Sequence, residues 1–210
     1  MNTKISFKKY LLICAIGFGL GGLLWGLVLY QGIPNVQFPF HFMAIIIMGL
    51  LGGISLAWPL ASIKEHSKSV LAGFLGWGIG FIVGWIVSYP LYFIGIYFSS
   101  IFLKYFISAE KLNTILNLQP NISVGDFWLI FLFTGAVIGL FYSLFLKTKK
   151  WAVIWRTSVG LALASIIGPI LGNLIGNLFN SLLISYLITF ILIGMISGLF
   201  LSWGIYKFKK

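Results

Sequence analysis

Charged side chains are scarce in this chain, and acidic ones are almost absent. Only 8% of its 210 residues are charged, three of them Asp or Glu, whereas 60% are apolar. Soluble domains average about 25% charged residues, so this chain has too few polar groups to cover a surface in water. The composition excludes an ordinary soluble domain and predicts an all-α polytopic membrane protein, a single integral membrane domain over 1–210.

The residues that most catalytic and metal sites require are missing from the apolar runs. The chain has one cysteine, Cys14, which excludes an internal disulfide, and its two histidines, His41 and His66, lie outside the centres of these runs. Buried ionisable groups normally mark proton relays and ion paths in membranes. The sequence also has no HExxH pair for zinc and no phosphate-binding loop. We therefore expect no enzyme activity, no metal site and no cofactor.

Six long apolar runs make up most of the chain. The first, Tyr10–Tyr30, contains no charge and as a helix is about 31 Å long, which matches a hydrocarbon core of about 30 Å. Backbone amides in lipid must be hydrogen-bonded internally, so each run is predicted to be a helix. The predicted spans cover about 10–30, 41–62, 70–92, 127–146, 151–178 and 182–206.

The basic residues fall on alternate connections between these runs. All of them except Lys104 and Lys111 lie at the two termini or near residues 64 and 148. Basic loops stay in the cytoplasm, so both termini are predicted to be cytoplasmic, in the cytoplasmic membrane of a prokaryote. This topology explains the net charge of +11 without a nucleic-acid partner, and the lipid bilayer is the expected surrounding.

The third apolar run is too long for one crossing. Residues 70–103 would form a helix of about 51 Å, and a seventh crossing would place the basic residues near 148 on the outer side. Proline disfavours helix in the residue before it, so the sequence predicts a helix end at Tyr89-Pro90. The segment 93–126 is then expected to be an outer interfacial or re-entrant segment.

Glycine recurs at every fourth position within the spans. Residues four apart share one face of a helix, and small residues let membrane helices approach closely. The sequence therefore predicts six helices packed through small-xxx-small faces. These faces are formed by Gly22, Gly26, Gly49, Gly53, Gly76, Gly80, Gly84, Gly135, Gly139, Gly168, Gly172, Gly176, Gly194 and Gly198. The recurring pattern fits three copies of a helical hairpin, two inverted halves, or shared packing needs without duplication.

Tryptophans lie near the ends of the predicted spans. Trp58, Trp151, Trp155 and Trp203 fall near cytoplasmic ends, and Trp25, Trp85 and Trp128 fall toward the outer face. Tryptophan is enriched at both membrane interfaces, so these residues are predicted to form aromatic belts.

The fifth span is the most polar and contains the predicted binding residues. Pro169 removes the helix hydrogen bond to the carbonyl of Ser165, and Asn173 and Asn177 continue the same face at four-residue intervals. Interrupted helices with amide side chains hold solutes in many transporters. These four residues are the predicted ligand-binding site, although asparagines also join membrane helices by hydrogen bonds.

Two functions from different classes fit these features. The first is a transport or solute-binding membrane subunit for a small neutral or zwitterionic solute, with no energy-coupling site of its own. The second is a structural or assembly protein whose glycine faces pack against a membrane-protein partner or a second copy of the chain. Asn173 facing an internal cavity would favour the first, and glycine faces left open to lipid would favour the second.

Overall fold

The computed structural model describes residues 6–31, 38–58, 63–106 and 128–208. Within these ranges the chain forms six helices. In chain order they are α1 (Phe7–Gln31), α2 (Phe38–Ala57), α3 (Ile63–Phe106), α4 (Trp128–Phe145), α5 (Lys150–Leu178) and α6 (Leu182–Phe208). The all-α prediction is confirmed, whereas most of the predicted outer segment, residues 107–126, lies outside the described residues.

Five of the helices are long and apolar enough to cross a membrane. These stretches are Phe7–Tyr30, Glu65–Ser88, Trp128–Phe145, Lys150–Leu178 and Leu182–Lys207. The second helix contributes a shorter apolar stretch, Phe42–Ala57. Five of the six predicted spans therefore coincide with helices that have the length and composition of membrane spans, as expected for a multi-pass membrane protein.

The third helix differs from the sequence-based prediction. It continues through Pro90 as a single helix of 44 residues, so the predicted helix end at Tyr89-Pro90 is wrong. A proline inside a helix removes one backbone hydrogen bond, here the bond to the carbonyl of Ile86. When the turns on both sides of the proline keep their hydrogen bonds, the helix bends at the proline and continues. At about 66 Å, α3 is longer than one hydrocarbon core.

The six helices form a closed ring. Each helix packs against its neighbours in the chain, and α1 also packs against α6. Tilted ring contacts join the start of α1 to the end of α6, with centroid distances of 5.0 Å for Phe7 and Tyr206 and 5.4 Å for Tyr10 and Tyr206. Consecutive helices run antiparallel, and so do α1 and α6, since Gly194 faces Phe18 and Gly198 faces Cys14.

Glycines lie at the contacts between neighbouring helices. A Cβ atom at Gly53 of α2 would lie 2.9 Å from the carbonyl oxygen of Ser69 in α3, and one at Gly139 of α4 would lie 2.7 Å from the Cα of Ile154 in α5. The other glycines of the predicted faces are also directed at a neighbouring helix. Gly49 and Gly53 face α3; Gly76, Gly80 and Gly84 face α4; and Gly135 and Gly139 face α5. Gly168, Gly172 and Gly176 face α6, as do Gly22 and Gly26, and Gly194 and Gly198 face α1.

The outside of the ring is apolar, and most of its described basic residues collect at one end, whereas Lys104 lies near the opposite end of α3. Large side chains such as Leu20, Ile170 and Leu174 are exposed, as expected for a surface that meets lipid tails. This end is formed by the starts of α1, α3 and α5, the ends of α4 and α6, and the short connection between α4 and α5. They carry Lys8, Lys9, Lys68, Lys147, Lys149, Lys150, Arg156 and Lys207. We call this the basic end.

Candidate functional site

The first two predicted binding residues are buried in α5. Helix α5 continues without interruption through Pro169, which is buried, as is Ser165. The Ser165 hydroxyl donates a hydrogen bond of 2.8 Å to the carbonyl of Ala162 in its own helix. Serine commonly makes such a bond inside membrane helices, where no water is available. This hydroxyl is therefore already bonded within α5.

The two predicted asparagines lie at the interface with α6 and at the helix end. The Ser185 hydroxyl of α6 donates a 2.7 Å hydrogen bond to Oδ1 of half-buried Asn173. Asn177 is exposed, and its carbonyl accepts a bond from the backbone of Asn180, which has a left-handed φ of 46°. The structure thus aligns the four residues along α5 but places Asn173 between two helices, where it joins them.

Large side chains from opposite helices meet at the centre of the ring. Trp25 of α1 contacts Phe131 of α4 at 6.0 Å and Phe190 of α6 at 4.6 Å between ring centroids. Phe18 of α1 contacts Trp77 of α3 at 6.0 Å. Helix α1 has neither α3 nor α4 as a ring neighbour, so these contacts cross the interior of the bundle.

Two of these side chains, Trp25 and Trp77, and the buried Tyr142 of α4 carry polar atoms without a hydrogen-bond partner among the described residues. Trp25, Trp77 and Tyr142 are 4%, 1% and 0% exposed. Their indole Nε1 atoms and the Tyr142 hydroxyl have no hydrogen-bond partner in the part of the chain that the structure describes. A buried polar group without a partner costs about 1–3 kcal/mol and needs an explanation. We call these three residues the axial cluster.

The close approach of α2 and α3 brings two members of the axial cluster together. A Cβ at Gly49 would lie 2.5 Å from the carbonyl oxygen of Gly73 and 2.9 Å from Cδ1 of Trp77. A Cβ at Gly73 would lie 2.9 Å from the Tyr142 hydroxyl. The two glycines therefore let the Trp77 ring and the Tyr142 hydroxyl occupy the same central region, and side chains there would displace them.

A second polar group lies toward the basic end of the interior. The Cys14 thiol is buried, lies 3.9 Å from the carbonyl of Ser55 and is flanked by the hydroxyls of Tyr10 and Ser202. Neutral hydroxyl and thiol groups can hold a polar solute, but they are weak ligands for hard cations, which prefer carboxylates and carbonyls. The described residues contain no group of three His, Cys, Asp or Glu side chains that could hold a metal ion.

Sequence reasoning missed the axial cluster. Trp25 was predicted to lie in an outer aromatic belt, and this is wrong because it is buried among the rings of other helices. Six other tryptophans of the predicted belts are exposed: Trp58, Trp85, Trp128, Trp151, Trp155 and Trp203. Position beside a packing glycine does not separate the two cases, because Trp25 adjoins Gly26 and Trp85 adjoins Gly84, and both glycines face a neighbouring helix, yet only Trp25 is buried.

Comparison with protein-family models, with curated proteins and with solved structures found no match.

Proposed function

We propose that this protein is a membrane transport or solute-binding subunit that holds a small neutral or zwitterionic solute on the axis of its helix ring. The observation that carries the proposal is the axial cluster, since its buried donors have no partner among the described residues. A solute with acceptor atoms would satisfy them. We propose no catalytic or energy-coupling role for the chain.

The chemistry of the axial cluster limits the kind of solute. The indole N–H groups of Trp25 and Trp77 only donate hydrogen bonds, whereas the Tyr142 hydroxyl also accepts them. The solute must therefore offer oxygen or nitrogen acceptors. The rings of Phe18, Phe131 and their neighbours supply apolar walls, and an uncompensated charge is costly in such surroundings. A neutral molecule, or a zwitterion with no net charge, fits best.

The proposal includes an orientation in the membrane. The basic end collects Arg156 and all the lysines of the described ranges except Lys104, which lies near the far end of α3, and basic segments are retained in the cytoplasm. We propose that this end, with both termini, faces the cytoplasm. The opposite end of the axis, near Trp25, then faces the outer leaflet.

The proposal can be tested by thermal stabilisation of the purified protein. A panel of neutral and zwitterionic solutes is added in detergent, and the unfolding midpoint is recorded for wild type, Trp77→Phe, Tyr142→Phe and Trp151→Phe. We expect at least one solute to raise the midpoint of wild type and Trp151→Phe but not of the two axial variants. Trp151 is 82% exposed and serves as the matched control. Equal stabilisation of all four proteins would show that the solute binds elsewhere.

The alternative is an assembly protein that docks partner helices on its glycine faces. It has less support because these glycines face neighbouring helices of the same chain. Purification in a gentle detergent followed by mass spectrometry separates the two functions. A stoichiometric partner that stays bound to wild type and is lost in a glycine variant with an intact ring would favour assembly.

A further inference from the structure

The contact between successive hairpins repeats three times around the ring. Where one hairpin (α1–α2, α3–α4 or α5–α6) meets the next, two glycines four residues apart face two backbone carbonyl oxygens that are also four residues apart. In α4, a Cβ at Gly135 would lie 2.6 Å from the carbonyl oxygen of Thr157 in α5, and one at Gly139 would lie 3.1 Å from that of Val153. The matching pairs are Gly49 with Gly73 and Gly53 with Ser69 between α2 and α3, and Gly194 with Phe18 and Gly198 with Cys14 between α6 and α1. The contact that closes the ring is therefore of the same kind as the other two.

The order of the helices around the ring decides between the two kinds of repeat that fit the sequence. Two inverted halves would match α1 with α4, which run in opposite directions, by rotation about an axis in the membrane plane. Such a rotation turns the ring over and reverses the order of its helices, whereas matching the halves requires that order to be kept. Three hairpins are matched by rotation about the ring axis, which keeps both order and direction. The closed ring therefore fits three repeated hairpins and excludes two inverted halves.

Side-chain burial follows the same threefold pattern when the hairpins are aligned on these contacts. In α2, α4 and α6, corresponding residues are exposed at two positions: Ile54, Leu140 and Leu199, and four residues later Trp58, Leu144 and Trp203. In α3, α5 and α1, the corresponding residues Ser69, Val153 and Cys14 are fully buried, and those two residues later are exposed: Leu71, Trp155 and Ile16. Corresponding residues thus occupy corresponding places in the three hairpins.

The second hairpin, α3–α4, departs from this equivalence at the axis. It supplies two of the three members of the axial cluster, Trp77 and Tyr142. The corresponding residues are Gly22 and Leu161 for Trp77, and Leu56 and Leu201 for Tyr142, and all of them are buried. None of these four has a hydrogen-bonding side chain. Leucine at both positions equivalent to Tyr142 shows that the ring does not require a phenol hydroxyl there.

We propose that the ring consists of three quasi-equivalent hairpins and that the second hairpin is its recognition unit for the axial solute. This inference rests on the proposed function. At the level of Trp77 and Tyr142, the second hairpin presents hydrogen-bonding groups, whereas the other two present Leu56, Leu161 and Leu201. The solute therefore carries its acceptor group on one side and an apolar body on the other, because a polar group facing the leucines would lose its hydrogen bonds to water without replacement. Trp25 of the first hairpin adds a donor nearer the outer end of the axis.

The test measures unfolding midpoints of the full-length protein in detergent, with and without straight-chain alkyl monoamides and the corresponding diamides. A monoamide has one polar end, whereas a diamide has two. Ligands that bind the folded state raise the midpoint, so we expect monoamides to raise that of wild type and diamides to raise it less. Trp77→Phe and Tyr142→Leu should lose this shift. The matched controls Leu161→Met and Leu201→Met, at the equivalent positions of the third hairpin, should keep it.

Equivalence of the hairpins is measured on the same proteins without amide. Because leucine occupies both positions equivalent to Tyr142, Tyr142→Leu should unfold in one transition with a midpoint no lower than that of wild type. If Tyr142→Leu does not fold, the three positions are not equivalent and the proposal of repeated hairpins is overturned. Trp77→Phe still reports on recognition in that case.

The results with amide separate this inference from the proposed function. Equal shifts with monoamides and diamides, or an equal loss of the shift in the third-hairpin controls, would overturn recognition by one hairpin while leaving a solute site on the axis. Stabilisation of wild type by another neutral or zwitterionic solute, but by no monoamide, would have the same meaning. If no solute of either kind stabilises wild type, the proposed function fails, and recognition by the second hairpin fails with it.

Discussion

Gly139 and Gly78 show how differently two glycines can be placed in one bundle. A Cβ at Gly139 would lie 2.7 Å from the Cα and 3.0 Å from the backbone nitrogen of Ile154, closer than side-chain adjustment can relieve. A Cβ at Gly78 would meet only side-chain atoms of Ile46 and Phe42, at 3.6 Å or more. Both glycines lie in apolar helices, but only Gly139 occupies a position with no room for a methyl group.

We predict opposite results for alanine at these two positions. Gly139→Ala forces α4 and α5 apart and should lower the free energy of unfolding by about 1–3 kcal/mol, the usual cost of overpacking. Gly78→Ala should leave it unchanged or raise it slightly, because alanine favours helix over glycine. Thermal unfolding midpoints in detergent measure both. If Gly139→Ala were as stable as wild type, glycine contacts would not be what holds the ring together.

The hydrogen bond between Ser185 and Asn173 should behave as an attachment between helices. Interhelical hydrogen bonds in membranes average about 0.6 kcal/mol and reach about 1.7 kcal/mol. A double-mutant cycle with Asn173→Ala and Ser185→Ala should give a coupling energy in this range. Asn177→Ala, at an exposed position, is the control and should cost little. Additive effects in the cycle would mean that the two side chains do not interact.

Residue spacing predicted which side chains share a helix face, but not what each face contacts. The i, i+4 pattern placed Ser165, Pro169, Asn173 and Asn177 on one side of α5. It could not indicate that Ser185 of α6 lies opposite Asn173. The same limit applies to Trp25, since an aromatic residue near a helix end is typical of both an interface and a core.

At the scale of elements, α3 shows how local propensity can fail. Proline disfavours helix in the residue before it, yet α3 continues through Pro90. A helix in lipid tolerates one missing hydrogen bond when the turns on both sides of the proline keep theirs. Leaving the helix would expose further backbone groups to lipid, where no water is present to bond them. Composition and run length therefore predicted that the helix exists but not where it ends.

Replacement of Pro90 by alanine separates a continuous helix from a broken one. Within a helix, Pro90→Ala restores the hydrogen bond to the carbonyl of Ile86 and should raise the unfolding midpoint. In a turn, loss of the rigid proline should lower the midpoint instead. Pro169→Ala is the comparison: it also restores a bond but leaves a small void at a buried position, so its gain should be smaller. A lower midpoint for Pro90→Ala would contradict the continuous α3.

At the scale of the whole molecule, the closure of the ring defines an axis. Glycine faces on two sides of α1 are visible in the sequence: Gly17 and Gly21 face α2, whereas Gly22 and Gly26 face α6. The sequence showed that α1 carries contact surfaces but not that α6 occupies one of them. Ring closure depends on contacts between the two ends of the chain, and these have no local signature.

Cross-linking between α1 and α6 tests this closure. In a Cys14→Ala background, the pair Phe7→Cys and Tyr206→Cys should be joined within one chain by a short bifunctional thiol reagent, since the two rings are 5.0 Å apart. The pair Phe7→Cys and Leu144→Cys is the control, because α4 is not a ring neighbour of α1 and the Leu144 side chain is exposed on the outside of the ring. Products are read as mobility shifts on denaturing gels. Linkage of the first pair only between two chains would exclude the closed ring.

The most direct test of the axial site is the stability of solute-free Tyr142→Phe. The Tyr142 hydroxyl is fully buried and has no partner among the described residues, so its removal should relieve about 1–3 kcal/mol. We predict a midpoint several degrees above that of wild type, together with loss of solute stabilisation. Tyr30→Phe, with its side chain 39% exposed, is the control and should change neither. A lower midpoint for Tyr142→Phe would mean that the hydroxyl stabilises the fold itself, and would contradict a solute site on the axis.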